Sequence, residues 1–236
     1  MRERSLEPRG LFLLLGMAFV CVGGWICPAF AEKGEVLEEF ALDGIRVDLQ
    51  DQVLRLEASV CLREGILEYV AVSRGGKTYE SLFELKAKPS QIHAGLLLVG
   101  VEPISLGDNS KRTETQLRIQ VEWENEEGSS DKVKPIPIEE FLTDRTTEKR
   151  AEMLTWFFSG SILGPDIDSP DGKGAIYVAD MEKSVIAIWP DQTAVLNPVQ
   201  KSGNPYRGNT YGFEAKTDSL PKLGAKAWLV IQRIQP

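Results

Sequence analysis

Thr115-Gln-Leu-Arg-Ile-Gln-Val-Glu-Trp123 alternates polar and apolar side chains for nine residues without a break. A period of two puts every second side chain on the same face of an extended chain, so this stretch is a half-buried β-strand. The same signal recurs on both sides of it. Ile45 to Leu49 and Val53 to Val60 alternate around the short polar break Gln50-Asp51-Gln52, as two strands joined by a turn do. Ile66 to Ser73 and Thr78 to Leu85 flank Arg74-Gly75-Gly76-Lys77. Gly-Gly supplies the positive φ values of a tight turn, so these two runs are expected to form a hairpin. Val133 to Ile138 carries two prolines, which cannot donate to a central ladder, and reads as an edge strand. Leu154 to Phe158, Ala175 to Ala179, Ser184 to Trp189 and Ala225 to Ile231 are the later apolar runs.

One helix interrupts this pattern. Pro89 suits a first helical turn, and Gly100 followed by Pro103 ends it, so a helix is expected over about 89–100. Ile92, Leu96, Leu97, Leu98 and Val99 make it apolar nearly all round. That predicts burial, with Leu96 and Leu97 in the core. The fold class that follows is α+β, mainly antiparallel β-sheet with this one short buried helix and few others. The charged connection Asp144 to Arg150 divides the chain into two possible sub-lobes near 143–151. Glu124 to Ser130 and Asn197 to Asn209 are polar or turn-rich.

The N-terminus has a different character. Arg2, Arg4 and Arg9 precede the uncharged run Leu11-Phe-Leu-Leu-Leu-Gly-Met-Ala-Phe-Val20, and Ala29-Phe30-Ala31 places small residues at a cleavage site. This is the form of a secretory signal peptide over 1–31. A retained anchor is the alternative, but the apolar stretch from Leu11 to Ile26 falls short of the ~20 residues that a span needs. The expectation is therefore a periplasmic or secreted protein of residues 32–236, with no stable membrane insertion after cleavage.

Composition removes several functions. The net charge is -8, and loss of the leader, with three arginines and two glutamates, makes it -9. An acidic surface repels phosphate backbones, so nucleic acid is not an expected partner. After cleavage Cys61 is the one remaining cysteine, so no internal disulfide forms. It lies in an alternating run and reads as a small buried hydrophobe, with a reactive thiol as the alternative. His93 is the only histidine, so neither a zinc site nor any other cofactor is expected.

Several segments, in order, resemble the YdjY-domain family of exported bacterial proteins. They are Ile66 to Val72, Gly76 to Leu82, Lys88 to Gly100, Val121-Glu-Trp123, Ile136 to Phe141, Trp156 to Ser161, Ile176-Tyr-Val-Ala-Asp180 and Ala194-Val-Leu-Asn-Pro198. The resemblance covers about Ile45 to Ile231 and implies no defined activity. Some relatives carry iron-sulfur cysteines that this chain lacks, so no ferredoxin-like role is carried over.

Two groups of residues could carry chemistry. Glu80, Ser81 and His93 offer a carboxylate, a hydroxyl and an imidazole, the parts of a nucleophilic site, although no Gly-x-Ser-x-Gly elbow surrounds a serine. The structural alternative is that Glu80 and His93 satisfy buried polar groups between sheet and helix. Trp156, Ser159 and Ser161 could form an apolar pocket floor with two hydroxyls, or a core strand ending in a turn. Asp166, Asp168 and Asp171 sit in a loop whose Ser169-Pro170 breaks calcium-loop spacing, and they read as solvated. The function expected is a non-enzymatic module that binds an unidentified protein or small molecule. The alternative is a hydrolase-like enzyme using His93 with Glu80 or Ser81, and a third reading is a carboxylate-bound metal protein.

Overall fold

The structure is a computed structural model that describes residues 39–234, apart from 113, 124–133, 172, 201, 202, 204 and 207–210. The expected leader at 1–31, the polar turn at 124–130 and part of the 197–209 segment lie outside the described residues.

The alternating stretch folds as expected: Leu117, Ile119 and Val121 are buried while Arg118 between them is exposed. It is one of eight strands that close on themselves. In chain order these are β1 (Val53–Val60), β2 (Tyr69–Ser73), β3 (Ser81–Leu85), β4 (Leu117–Trp123), β5 (Trp156–Phe158), β6 (Ser184–Ala187), β7 (Leu196–Pro198) and β8 (Lys226–Arg233). Around the ring the order is β1-β8-β4-β5-β7-β6-β2-β3, and β3 pairs back onto β1. Closure leaves no free edge in the ring, so every strand in it has a neighbour on both sides.

This corrects the expected class. The fold is mainly β and built on a barrel, rather than an α+β arrangement of a plain antiparallel sheet. Two α-helices occur among the described residues, α1 (Pro89–Leu98) and the five-residue α2 (Val178–Glu182). Alternation reports that a strand has one buried face; it does not report whether the sheet curls until its edges meet.

The 66–85 region is corrected too. β2 and β3 run parallel, with Tyr69 beside Ser81 and Ser73 beside Leu85, so the Gly-Gly segment is a crossover and not a hairpin turn. Residues 74–80 must return along the length of β2, roughly 13 Å at strand rise, which seven residues can span when partly extended. A 3-10 turn at Thr78–Glu80 uses part of that length. β6 and β7 are also parallel, and the other ring pairings are antiparallel.

Smaller elements attach to the ring. Glu39–Leu42 and Ile45–Asp48 extend the sheet beyond β1. Ile136–Pro137 pairs on β4, where its proline needs no partner on the outer side. The charged segment Asp144 to Arg150, read as a connection, is instead the turn and second strand of a hairpin of Leu142–Asp144 and Lys149–Arg150, joined through Phe213–Ala215 to Ile66–Leu67. Leu163–Pro165 and Ala175–Tyr177 form a separate two-stranded ribbon.

A single large apolar cluster includes Leu54, Leu56, Phe83, Ile119, Val121, Trp156, Phe158, Leu229 and Ile231. α1 joins it through Ile92 and Leu96, one turn apart. Gly95 between them lets the helix approach β1 closely, since a Cβ there would lie 2.8 Å from Leu54 Cδ1. The expectation of an all-round buried helix is corrected: Leu97 and Leu98 are 47% and 52% exposed. The buried residues of α1 are Pro89, Ile92, Gly95 and Leu96, so the helix has one buried side and not an apolar surface covered all round.

Candidate functional site

The site is built where β5 ends. After Phe158 the chain enters Ser159-Gly160-Ser161, with positive φ at Gly160 (80°) and at Ser161 (61°). Gly160 is required here twice over. Its backbone is left-handed, and a Cβ would meet Pro103 Cβ at 3.1 Å and His93 Cε1 at 3.3 Å. Ser161 is a non-glycine residue in the same sparsely populated region and is held there from two sides. Its hydroxyl donates to Thr193 O at 2.7 Å and accepts from the Ala179 N–H at 3.1 Å.

His93 sits in the first half of α1, facing this turn. Its ring meets Phe158 edge-on at 4.7 Å and Tyr177 edge-on at 5.4 Å. Its Nδ1 and the Tyr177 hydroxyl are 2.9 Å apart, and the Gly160 backbone hydrogen-bonds the imidazole as well. Burial lowers the His93 pKa from its ordinary value, and the Gly160 contact opposes that only in part. Tyr177 ends the ribbon strand just before α2; burial and the nearby Asp180 charge both raise its pKa, so the phenol stays protonated. Asp180, in the first turn of α2, reaches across to accept the Ser90 N–H at 2.8 Å. It thereby satisfies one of the free donors at the start of α1 and ties the two helices together.

These residues enclose a cleft of about 590 Å³. Pro103, Leu163 and the Tyr177 ring form its apolar walls, and Ser90, His93, Ser159 and Ser161 are its polar members. Ser159 is held from behind. Its hydroxyl lies 3.0 Å from both Ala194 O and Val195 O and accepts from Asn197 Nδ2 at 2.8 Å. Asn197 is fully buried and also receives the Asp191 N–H at 2.6 Å. The Asp191 carboxylate in turn accepts from Tyr69 at 2.8 Å and from Thr193. The cleft floor therefore rests on a buried hydrogen-bonded network, which fixes the serine rotamers.

The residues expected from sequence divide between different places. His93, Ser159 and Ser161 come together at the cleft. Trp156 is fully buried with its indole N–H donating to Ala187 O at 2.8 Å, a core position. Ser81 is fully buried, and its hydroxyl donates to Lys77 O at 2.7 Å. Glu80 belongs to a second cluster, with Lys77 Nζ 3.9 Å away and Tyr206 and Glu68 hydrogen-bonded to it. Lys77 is closer to Glu68, at 2.9 Å. Burial and the adjacent Glu68 raise the Glu80 pKa, and Lys77 works against them. Cys61 is half-buried with Sγ donating to Ser81 O at 3.0 Å; burial, helped by Glu84, pushes its pKa up to about 12 and leaves the thiol unreactive.

Sequence reading assigns no site role to Tyr177, Asp180, Gly160, Pro103 or Leu163, and Pro103 reads there only as a helix stop. Tyr177 and Asp180 stand inside the Ile176-Tyr-Val-Ala-Asp180 motif, so a signal existed; its apolar run reads as a strand and hides the turn into α2. Among the described residues, no group of three or more His, Cys, Asp or Glu is placed to hold a metal ion. None of the described helices is long and apolar enough to cross a membrane.

No curated protein and no solved structure matches this chain. A known family pattern does match, over residues 45–232, and takes in the ring short of the last residue of β8, together with α1 and every residue of the cleft. By that match over most of its length, the chain belongs to the YdjY domain family.

Proposed function

We propose that this is an exported, non-enzymatic module that binds a small ligand in the His93 cleft. The observation that carries this is the cleft itself: about 590 Å³, inside the range of roughly 300–1,000 Å³ usual for small-molecule sites, with apolar walls and a few convergent polar groups. Its scaffold is rigid, because the floor is tied into the β5–β7 end of the barrel by the Ser159–Asn197–Asp191 network. The polar contacts favour binding over hydrolysis. A nucleophilic serine needs a base at its hydroxyl, whereas Ser81 and Ser161 each donate to a backbone carbonyl and Ser159 has two within reach. The hydrogen-bonded side-chain partner of His93 is Tyr177, not a carboxylate.

Export is supported by the leader read at 1–31, and the acidic net charge of -8 argues against a nucleic-acid partner. N-terminal sequencing of material recovered outside the cytoplasm should give a start near Glu32; an intact Met1 would count against export. For binding, an NMR screen of the purified protein against a fragment library should find compounds that shift the His93 ring signals saturably. Esterase turnover that His93→Ala abolishes would favour the hydrolase reading instead.

A further inference from the structure

The chemistry of the cleft lining narrows the ligand class; this step rests on the binding function proposed above. Of the polar groups that line the cleft, Ser159, Ser161 and His93 already spend hydrogen bonds inside the protein, which leaves the Ser90 hydroxyl as the exception. The Ser161 hydroxyl donates to Thr193 O and accepts from Ala179 N–H. Ser159 faces the carbonyls of Ala194 and Val195 and takes the amide proton of Asn197. His93 bonds Tyr177 at one nitrogen and also engages the Gly160 backbone. Little is left to solvate a charge brought in from water, and an unsolvated charge is costly to bury.

The lining offers no counter-charge either. None of its residues is an acid, lysine or arginine, the imidazole is held neutral by burial, and the phenol keeps its proton. The Asp180 carboxylate is not part of the lining, but it accepts the Ser90 N–H and its charge reaches Tyr177, so it opposes an anion. What remains for contact is the Ser90 hydroxyl, ring faces and edges, Pro103 and Leu163. Leu163 is 70% exposed, so the lip of the cleft offers an apolar side chain that a ligand would cover.

We infer that the cleft selects an uncharged, predominantly apolar ligand of ring or short acyl size, and rejects an anion of comparable size. Two probes that share the 4-methylphenyl group test this near neutral pH: p-cresol and 4-methylbenzoate, each titrated into the protein while the His93 ring signals are followed. The expected result is a saturable shift with p-cresol and at least fivefold weaker binding of 4-methylbenzoate. Binding of 4-methylbenzoate within fivefold of p-cresol overturns the ligand class while leaving the site standing. If neither probe moves His93, the binding function itself falls, and the inference with it. Leu163→Asp provides a second arm, because this side chain is exposed and its exchange leaves the core intact. The variant should bind p-cresol at least fivefold more weakly; an affinity changed by less overturns the inference.

Discussion

His93 is the side chain whose surroundings can be read out most directly, because it is the only histidine of the chain. Burial between Phe158, Tyr177 and Gly160 disfavours the imidazolium, so its pKa in the folded protein lies below the ordinary ~6.5. An NMR titration of its ring signals should show this; a midpoint above 6.5 would contradict the burial argument. The sign for stability follows by linkage. Above the unfolded-state value both states are neutral at this site and its contribution is complete. As pH falls below that value the unfolded chain takes the proton first, and the contribution is lost as pH falls through the folded value. His93→Gln should flatten this part of the stability profile. Gly160 supports the same contact from the other side. Gly160→Ala forces a side chain into left-handed backbone and against Pro103 and His93, and should cost at least ~1–2 kcal/mol in denaturant unfolding.

In α1, sequence reading found the helix and its ends to within about two residues, but not which of its leucines face the core. Leu96 and Leu97 are adjacent and chemically identical; Leu96 is fully buried and Leu97 is 47% exposed. Leu96→Ala should therefore cost ~2–5 kcal/mol, as deletions in a packed core do. Leu97→Ala should stay within about 0.5 kcal/mol, as exposed substitutions do. Equal losses for the two in chemical denaturation would mean that the helix is rotated from the orientation described. The strand pairings carried the same kind of ambiguity. Two runs of β2 and β3 type around Gly-Gly fit a hairpin by local rules, yet they pair in parallel, because each also has to meet a distant partner: β2 meets β6 and β3 meets β1. The preference of a turn is worth less than two ladders of long-range hydrogen bonds.

The barrel depends on strands far apart in the chain. β8, near the C-terminus, lies between β1 and β4 and pairs with seven residues of each. A chain ending at Ala225 lacks β8, opens the ring, and leaves the inner faces of both neighbours uncovered. It should show no cooperative unfolding transition by circular dichroism, whereas the whole protein should; a retained transition would mean that the ring is not one folding unit. The cleft is assembled from similarly distant parts, since His93, Ser159–Ser161 and Tyr177 come from three separate elements.

The amino-acid sequence by itself determined the local character of the chain: strands from the period of two, a proline-led helix, the acidic charge, and the scarcity of cysteine and histidine that limits metal and disulfide chemistry. These properties are set by neighbours within a few residues. The family was legible as well, because short motifs in a fixed order can be read without knowledge of their contacts, and the match covers residues 45–232. Tertiary structure decided what depends on distant partners. It closed the sheet, set β2 and β3 parallel, turned Leu97 outward, and paired His93 with Tyr177 while Glu80 and Ser81 bonded elsewhere. The physical reason is that a side chain's periodicity reports only that one of its faces is buried. Which surface buries it is fixed when the whole chain satisfies its backbone hydrogen bonds and apolar contacts together.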